Sequence, residues 1–317
     1  MINFKPITEL GHEVYKHYLF TETERGCELS YANLCMWGDQ KAAIVEDQLI
    51  VFTKYNGAYM YHFPMGVGDK KAALGCIIKD AEERGISCSI FSLNQNDAAL
   101  LETLYPEKFE INFIRDSFDY VYSIEKLAGL KGRKYHRKRN HYNHFCKKYP
   151  NFYVEALSEK NLPLVKSFID QWYQDRLTQS PENDYQKEQM ALEKCFREYA
   201  DLGLESLVLF CPAEYCAHSQ ENAKNDTNHI VAFTIGSRLS PNTFDVHFEK
   251  ARWDVEGAYT AINCEFAKFI QEKYPEIEFL NREEDMGLPG LRKAKESYFP
   301  DHMVEKGVAV LKENNDA

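Results

Sequence analysis

Strand and helix signals alternate along this chain in the same order twice, and a basic segment free of acidic residues lies between the two runs. In the first run, AAIVEDQLIVFTKY and GAYMYHFPMG flank Asn56-Gly57 in the pattern of a β-hairpin. A helical pattern follows in DKKAALGCIIKDAEERG, then a short buried strand in SCSIFSL, a helix in NDAALLETLY and extended segments around FEINFI and FDYVYSI. The second run opens with a strand in NFYVEAL, a helix in NLPLVKSFIDQWYQDR and another from about Tyr185 to Leu202. Strands at SLVLFC, HIVAFTIGSRL and TFDVHFEKA come next. An amphipathic helix from Val255 to Lys273, a strand IEFLN, a helix near LRKAKESY and one last strand MVEKGVAVLK complete it. The order predicts an α/β (α+β) protein of two units, each a mixed sheet flanked by helices, divided at 1–130, a basic connecting helix at 131–150, and 151–317. SQENAKNDTN (219–228) and the tail KENNDA carry no periodicity and read as a loop and a frayed end.

The connecting segment reads KGRKYHRKRNHYNHFCKKY (131–149). From Lys126 to Val154 there is no Asp or Glu, and the window holds nine of the 38 Lys and Arg residues. The other 29 stand against 49 acidic residues, so the rest of the chain has net charge −20 where the whole has −11. Such an acidic balance repels phosphate at long range, which makes the segregation of positive charge the informative feature. On a helix, Tyr135, Tyr142, Phe145 and Tyr149 form one aromatic stripe, and Pro150 stops the helix. Arg133, Lys134, Arg137, Lys138, His141, His144 and Lys148 then point largely away from the stripe. Solvated helix faces usually mix signs, because like charges at i,i+4 cost roughly 0.2–0.5 kcal/mol each. A face without acids suits a polyanion; the alternative is a solvated connector.

No uncharged run approaches a membrane span, and the N-terminus has no signal-peptide pattern, so a cytoplasmic protein is expected. The nine cysteines form no CxxC pair and read as reduced residues of the interior. Cys211, Cys216 and His218 lack a fourth ligand at usable spacing, and no metal is expected.

Two stretches of the second half carry candidate chemistry. In TFDVHFEKA, period-2 alternation puts Asp245, His247 and Glu249 on one face of a strand and Val246 and Phe248 on the other. Acyl transfer to an amine needs a base, and His247 or a carboxylate of raised pKa suits that role; the alternative is a wet sheet edge. At the end of IEFLN, Asn281, Arg282 and Glu283 begin a polar turn where an α/β sheet offers the carboxyl ends of its strands to a ligand. Beyond it, Arg292, Lys293, Lys295 and Tyr298 suit a phosphate or a 3′ nucleotide end, although basic residues late in a helix are also favoured by its dipole.

LAGLKGRKYHRKRNHYNHF, FYVEAL, HIVAFTIGSRL, FDVHFEKA and IEFLNREEDMGLPGLRKAKESYFP, in that order over about 127–300, resemble the phosphatidylglycerol lysyltransferase C-terminal domain family. That family belongs with the Fem-type aminoacyl transferases and is built from two GNAT (acyl-CoA N-acyltransferase) folds. The resemblance implies two GNAT-like domains, an aminoacyl-tRNA donor, and a basic helix after a Leu-Lys-Gly lead-in, matched here by Leu130, Lys131 and Gly132. It carries RNA contact onto Arg133, Lys134, Arg137, Lys138 and Arg139, a strand-borne Asp onto Asp245 and a strand-end Asn onto Asn281. The sequence departs from the family in lacking a membrane-embedded half and in carrying NREEDMG where an apolar small-residue stretch is expected, so a small-molecule or peptide acceptor is anticipated. Acetyl-CoA enzymes of this fold cradle pyrophosphate at a helix start. The corresponding RWDVEGAYTA, with Asp254 and Glu256 beside Gly257, is a poor cradle. The expected protein is an acyl or aminoacyl transferase that uses aminoacyl-tRNA and acts on an amine or hydroxyl. The alternatives are an N-acetyltransferase with an acyl-CoA donor and a non-catalytic RNA-binding protein on the same fold.

Overall fold

The described residues of the computed structural model are 1–20, 25–55, 57–179, 185–212 and 228–312. The turn residue Asn56, the residues Cys216 and His218, most of the 219–228 loop and the tail beyond Lys312 lie outside them. The first half supplies strands β1 (Lys5–Pro6), β2 (Lys41–Val45), β3 (Gln48–Tyr55), β4 (Ala58–His62), β5 (Ser89–Leu93), β6 (Phe109–Phe113) and β7 (Asp119–Ser123). The second supplies β8 (Tyr153–Glu155), β9 (Leu204–Pro212), β10 (Asn228–Arg238), β11 (Thr243–Ala251), β12 (Phe279–Asn281), β13 (His302–Val304) and β14 (Gly307–Leu311). They build two seven-stranded mixed sheets, in the orders β1-β2-β3-β4-β5-β14-β6 and β13-β7-β12-β11-β10-β9-β8.

Both sheets follow one plan. Each holds a single parallel pair, β4 with β5 and β11 with β12, followed by an antiparallel strand. That flanking strand is exchanged between the halves. β14, from the end of the chain, lies beside β5, and β7, from the first half, lies beside β12. Strands therefore cross the expected divisions at 1–130 and 151–317 in both directions. MVEKGVAVLK, expected as one strand, is two: β13 pairs with β7 in the second sheet, and β14 fits between β5 and β6 in the first. The polar step Glu305-Lys306 separates two short apolar runs and carries the chain between sheets. At Gly307 a Cβ would lie 3.0 Å from the Phe113 ring, an approach that favours glycine.

Alternation along β3 divides the interior: Leu49 and Val51 enter one core, Ile50 and Phe52 another. The first of these cores lies between the sheets and contains residues of helices His12–Leu19, Tyr31–Met36, Leu162–Gln179 and Gln186–Arg197. Helices Lys70–Arg84 and Gln95–Leu104 cover the far face of the first sheet. Helix Ala258–Lys273 covers that of the second, together with the basic helix His136–Lys148. The aromatic stripe is the buried face of that basic helix, with Tyr135, Phe145 and Tyr149 each at most 1% exposed. The eight described cysteines are free thiols, six of them buried.

Candidate active site

β11 and β12 pair in register only over Thr243–Phe279, Phe244–Leu280 and Asp245–Asn281. β11 then continues to Ala251 while β12 ends. The sheet forks there, at the carboxyl ends of its parallel strands, which is where an α/β sheet offers a ligand site.

On the face toward the central core, polar side chains from six segments meet at the fork. Asp119, fully buried at the start of β7, accepts hydrogen bonds from Lys306 Nζ (2.7 Å, to Oδ1), from the Cys27 backbone N–H (2.7 Å, to Oδ2) and from Asn281 Nδ2 (2.9 Å, to Oδ2). Lys306 Nζ also donates to Glu28 at 3.1 Å and Glu284 at 3.4 Å. Asn281 Oδ1 accepts the N–H of Glu283 at 2.7 Å, and Glu283 takes the left-handed conformation with φ +57. Asn33 Nδ2 donates to Glu283 Oε1 at 2.9 Å and approaches Asp245 Oδ2 at 3.4 Å. Trp37 Nε1, donating to Asn33 Oδ1 at 3.1 Å, fixes which way that amide faces. His247 Nδ1 lies 3.3 Å from Asp245 Oδ2 and 3.4 Å from Glu283 Oε1, and its Nε2 is 2.8 Å from Ser237 Oγ. The side chains of Asp245 and His247 have no exposure, whereas Glu283 is 20% exposed. Of these three side chains Glu283 is therefore the one open to solvent, with the His247–Asp245 pair behind it.

Carboxylates crowd this cluster, and its electrostatics follow. Burial, then Glu283 and Asp119, push the Asp245 carboxyl well above its usual range. Burial also pushes Asp119 up to about 6 against the pull of Lys306. For Lys306, burial works against the charge, but Asp119, Cys27, Glu28 and Glu284 outweigh it and hold the ammonium well above the ordinary lysine value. The Cys27 thiol is driven up by burial and by Asp119, which keeps it protonated. The cluster favours a bound cation or a held proton.

The strand alternation expected of TFDVHFEKA fails at one residue. Ile235 pairs with Phe248 and Gly236 with Val246, so His247 is the extra residue of a β-bulge. Phe244 and Val246 consequently face helix Ala258–Lys273, while Phe248 faces the central core. Glu249 is thereby turned away from Asp245 and His247. It accepts from Arg282 Nη2 at 2.8 Å and from Asn263 Nδ2 at 3.3 Å on the outer face of the sheet. Arg282 lies there 4.9 Å from the centroid of the buried Tyr298 ring.

Other expected positions are engaged by the protein itself. Arg292 bonds Asp285 at 2.8 Å and Asp116 at 2.6 Å, and holds the Asp285 carboxyl well below the usual range. Lys295, buried, donates to the carbonyls of Arg282, Glu283 and Glu284, which fixes the turn that carries Glu283. Lys293 is exposed in the last turn of helix Pro289–Glu296. Of the positions expected on the basic helix, Arg133 and Lys134 are exposed in the turn before it, since the helix begins only at His136, and Arg137 is exposed on it. Arg139 Nη1 instead donates to the carbonyls of Leu130 (2.7 Å) and Gly132 (3.2 Å), clamping the lead-in turn. Lys138 turns inward, its Nζ 3.7 Å from the Tyr298 centroid.

Two trios offer ligand atoms within 4.8 Å of one another, Asp245–His247–Glu283 and Cys27–Asp119–Glu284. The Asn33 amide donates into the first, and the Lys306 ammonium sits at the second. N–H donors directed at the same oxygens leave neither trio arranged as a metal centre. Cys27, Asn33, Asp119, Glu284 and Lys306 escape a reading of the sequence because each comes from a different segment or turn. The available signals were slight: an acid opening the apolar run DYVYS, and a lysine between two short apolar runs near the end.

The sequence matches the family described as phosphatidylglycerol lysyltransferase, C-terminal, over residues 21–310. The chain belongs to that family. A conserved protein of unknown function from Bacteroides thetaiotaomicron is 34% identical, with TM-score 0.88 over 98% of this chain and 100% of that one. L-PGS from Bacillus licheniformis superposes with TM-score 0.64 at 16% identity, over 95% and 92% of the two chains. FemX does so with TM-score 0.59 at 12% identity, over 98% of each. An uncharacterized protein of Mycoplasmoides gallisepticum is 22% identical over 201 residues, which are 63% of this chain and 58% of that relative, so the match spans little more than half of the relative's length. The fold is that of Fem and tandem GNAT proteins, and family and fold fit an acyl or aminoacyl transferase of GNAT-like type. Among the described residues of this lysyltransferase-family chain, no helix is long and apolar enough to cross a membrane.

Proposed function

We propose that the protein is an aminoacyl transferase that takes its acyl group from aminoacyl-tRNA and passes it to an amine or hydroxyl. The observation that carries this reading is where the basic helix sits. A phosphate-bearing cofactor such as CoA is held by the free N–H groups that open a helix. At the opening of helix Ala258–Lys273, a Cβ on Gly257 would stand 3.0 Å from both the His141 carbonyl oxygen and Phe145 Cβ, so the basic helix covers that end. Glu256, 3.4 Å from His144 Nε2, adds negative charge there. The lead-in to that helix leaves Arg133 and Lys134 exposed and the helix itself leaves Arg137 exposed, which supports a grip on donor phosphates outside the fold.

The inner cluster supports the transfer step. The acceptor's nitrogen or oxygen attacks the ester carbonyl and loses a proton, while the bond to the 3′ oxygen of the RNA breaks and that oxygen takes a proton. Glu283 is the catalytic residue of this reading, because its carboxylate alone of the trio reaches the surface of the fork. His247 and Asp245 are positioning residues that steady its charge and its proton. An aminoacyl group brings an ammonium, and the surplus of carboxylates over Lys306 favours it. The reading is tested by binding of total tRNA across a salt series, beside a variant with Arg133, Lys134 and Arg137 changed to Glu. Arg139 is left intact because it clamps the lead-in turn. Binding should weaken with a log–log slope of about 0.7–0.9 per phosphate contacted and vanish in the variant. Equal indifference of both proteins to tRNA would overturn it.

A further inference from the structure

On the outer face of the fork, two cations share one ring. Lys138 Nζ stands 3.7 Å and Arg282 Cζ 4.9 Å from the Tyr298 centroid. Among the described residues a single carboxylate, Glu249, answers them. Two polar atoms of this cluster have neither a hydrogen-bond partner among the described residues nor solvent contact: Arg282 Nη1 and Asn263 Oδ1. Lys138 makes no hydrogen bond or ion pair among the described residues, only ring contact. Burial, then Arg282 and Arg137, pull its pKa down to about 8, as uncompensated positive charge does. In a chain of net charge −11, an inward-facing surplus of cations with unused donors is a place for an anion.

We propose that Lys138, Arg282 and Asn263 form a subsite for a phosphate ester, which in the donor reading above is the 5′-phosphate of the terminal nucleotide of the RNA. Only the naming of RNA rests on that reading. Arg282 Nη1 and the Lys138 ammonium donate to the phosphate, and Asn263 Oδ1 accepts from a sugar hydroxyl or a base amino group. Lys138, half-buried on a flexible stem, is the cover that lifts to let the anion reach Arg282. The spacing fits. Arg282 and Glu283 are consecutive residues on opposite faces of the fork, and a terminal ribose carries its phosphate and its acyl ester only a few bonds apart.

The test is calorimetric titration with adenosine 5′-monophosphate and with adenosine. Wild type should bind the phosphate ester at least tenfold more tightly than the nucleoside, Lys138→Gln should lose that margin, and Lys138→Arg should keep it, which guards against a folding artefact. The Arg133→Glu, Lys134→Glu, Arg137→Glu variant should retain the nucleotide while losing tRNA. The groups facing Lys138 are Arg282, Arg137, Glu249 and Tyr298, whose hydroxyl burial pushes up to about 12. Between pH 7 and 9 the wild-type affinity should therefore fall as Lys138 deprotonates, and the Lys138→Arg affinity should hold. Nucleotide no tighter than nucleoside, or Lys138→Gln equal to wild type, overturns the subsite. Nucleotide binding that needs Lys138, in a protein indifferent to tRNA, upholds the subsite and sinks the RNA donor instead.

Discussion

Lys306 Nζ donates a 2.7 Å hydrogen bond to Asp119 Oδ1, and these two residues, 187 apart in sequence, stand where the chain crosses between its two sheets. Asp119 opens β7, the first-half strand that completes the second sheet. Lys306 precedes β14, the C-terminal strand that completes the first. The strand exchange and the polar cluster are thus one structural event.

Removing one partner of a buried pair strands the other charge, at a cost of about 3–5 kcal/mol. Lys306→Met should lower the unfolding free energy by about that amount, measured by urea denaturation. Adding Asp119→Asn to it, which removes the charge but keeps an acceptor, should cost less than the two single changes summed. A Lys306→Met protein within about 1 kcal/mol of wild type would show that the pair does not tie the halves together.

Asp245 gives a pH dependence of definite sign. Its folded pKa is raised, so the folded state holds a proton that the unfolded state releases above about pH 4. Wild-type stability therefore falls as pH rises from there through the folded pKa, a penalty the Asp245→Asn variant escapes. From about pH 4 upward the variant should gain steadily on wild type until the folded pKa is passed, read from parallel denaturation curves at about pH 5 to 7.5. A constant difference across that range would mean Asp245 is buried without electrostatic penalty.

Gly257 and Gly85 separate strain from contact. Both have positive φ, +87 and +66, but only Gly257 has neighbours where a Cβ would go. Gly85→Ala should cost about 1 kcal/mol of backbone strain, and Gly257→Ala clearly more, since it also presses on the basic helix. Melting temperatures of the two variants decide it, and equal losses would remove the close packing of that helix from the account.

Much of this was legible in local pattern. Asp69 caps helix Lys70–Arg84 and Gly85 ends it, and the stripe of Tyr135, Phe145 and Tyr149 marks the buried side of the basic helix, because period and caps are local properties. The bulge at His247 was not legible, since a one-residue mismatch is set by how β10 and β11 pair, and it sends Glu249 to the opposite face. Nor was the step at Glu305-Lys306, whose meaning depends on a strand nearly two hundred residues earlier. Asp245 and Glu283 could be picked out singly, but Asn33 and Trp37, which orient them, come from a helix that announces only packing.

In the proposed reaction aminoacyl-tRNA is the donor and Glu283 the group that meets the reacting amine or hydroxyl. Its most direct test is the rate at which the protein discharges each labelled aminoacyl-tRNA in a mixture of small amines and peptides, beside Glu283→Gln and an acetyl-CoA consumption assay. The expected result is discharge of at least one aminoacyl-tRNA above the spontaneous rate, reduced about 10²-fold or more in Glu283→Gln, with acetyl-CoA untouched. Discharge of none, with steady consumption of acetyl-CoA, would contradict it.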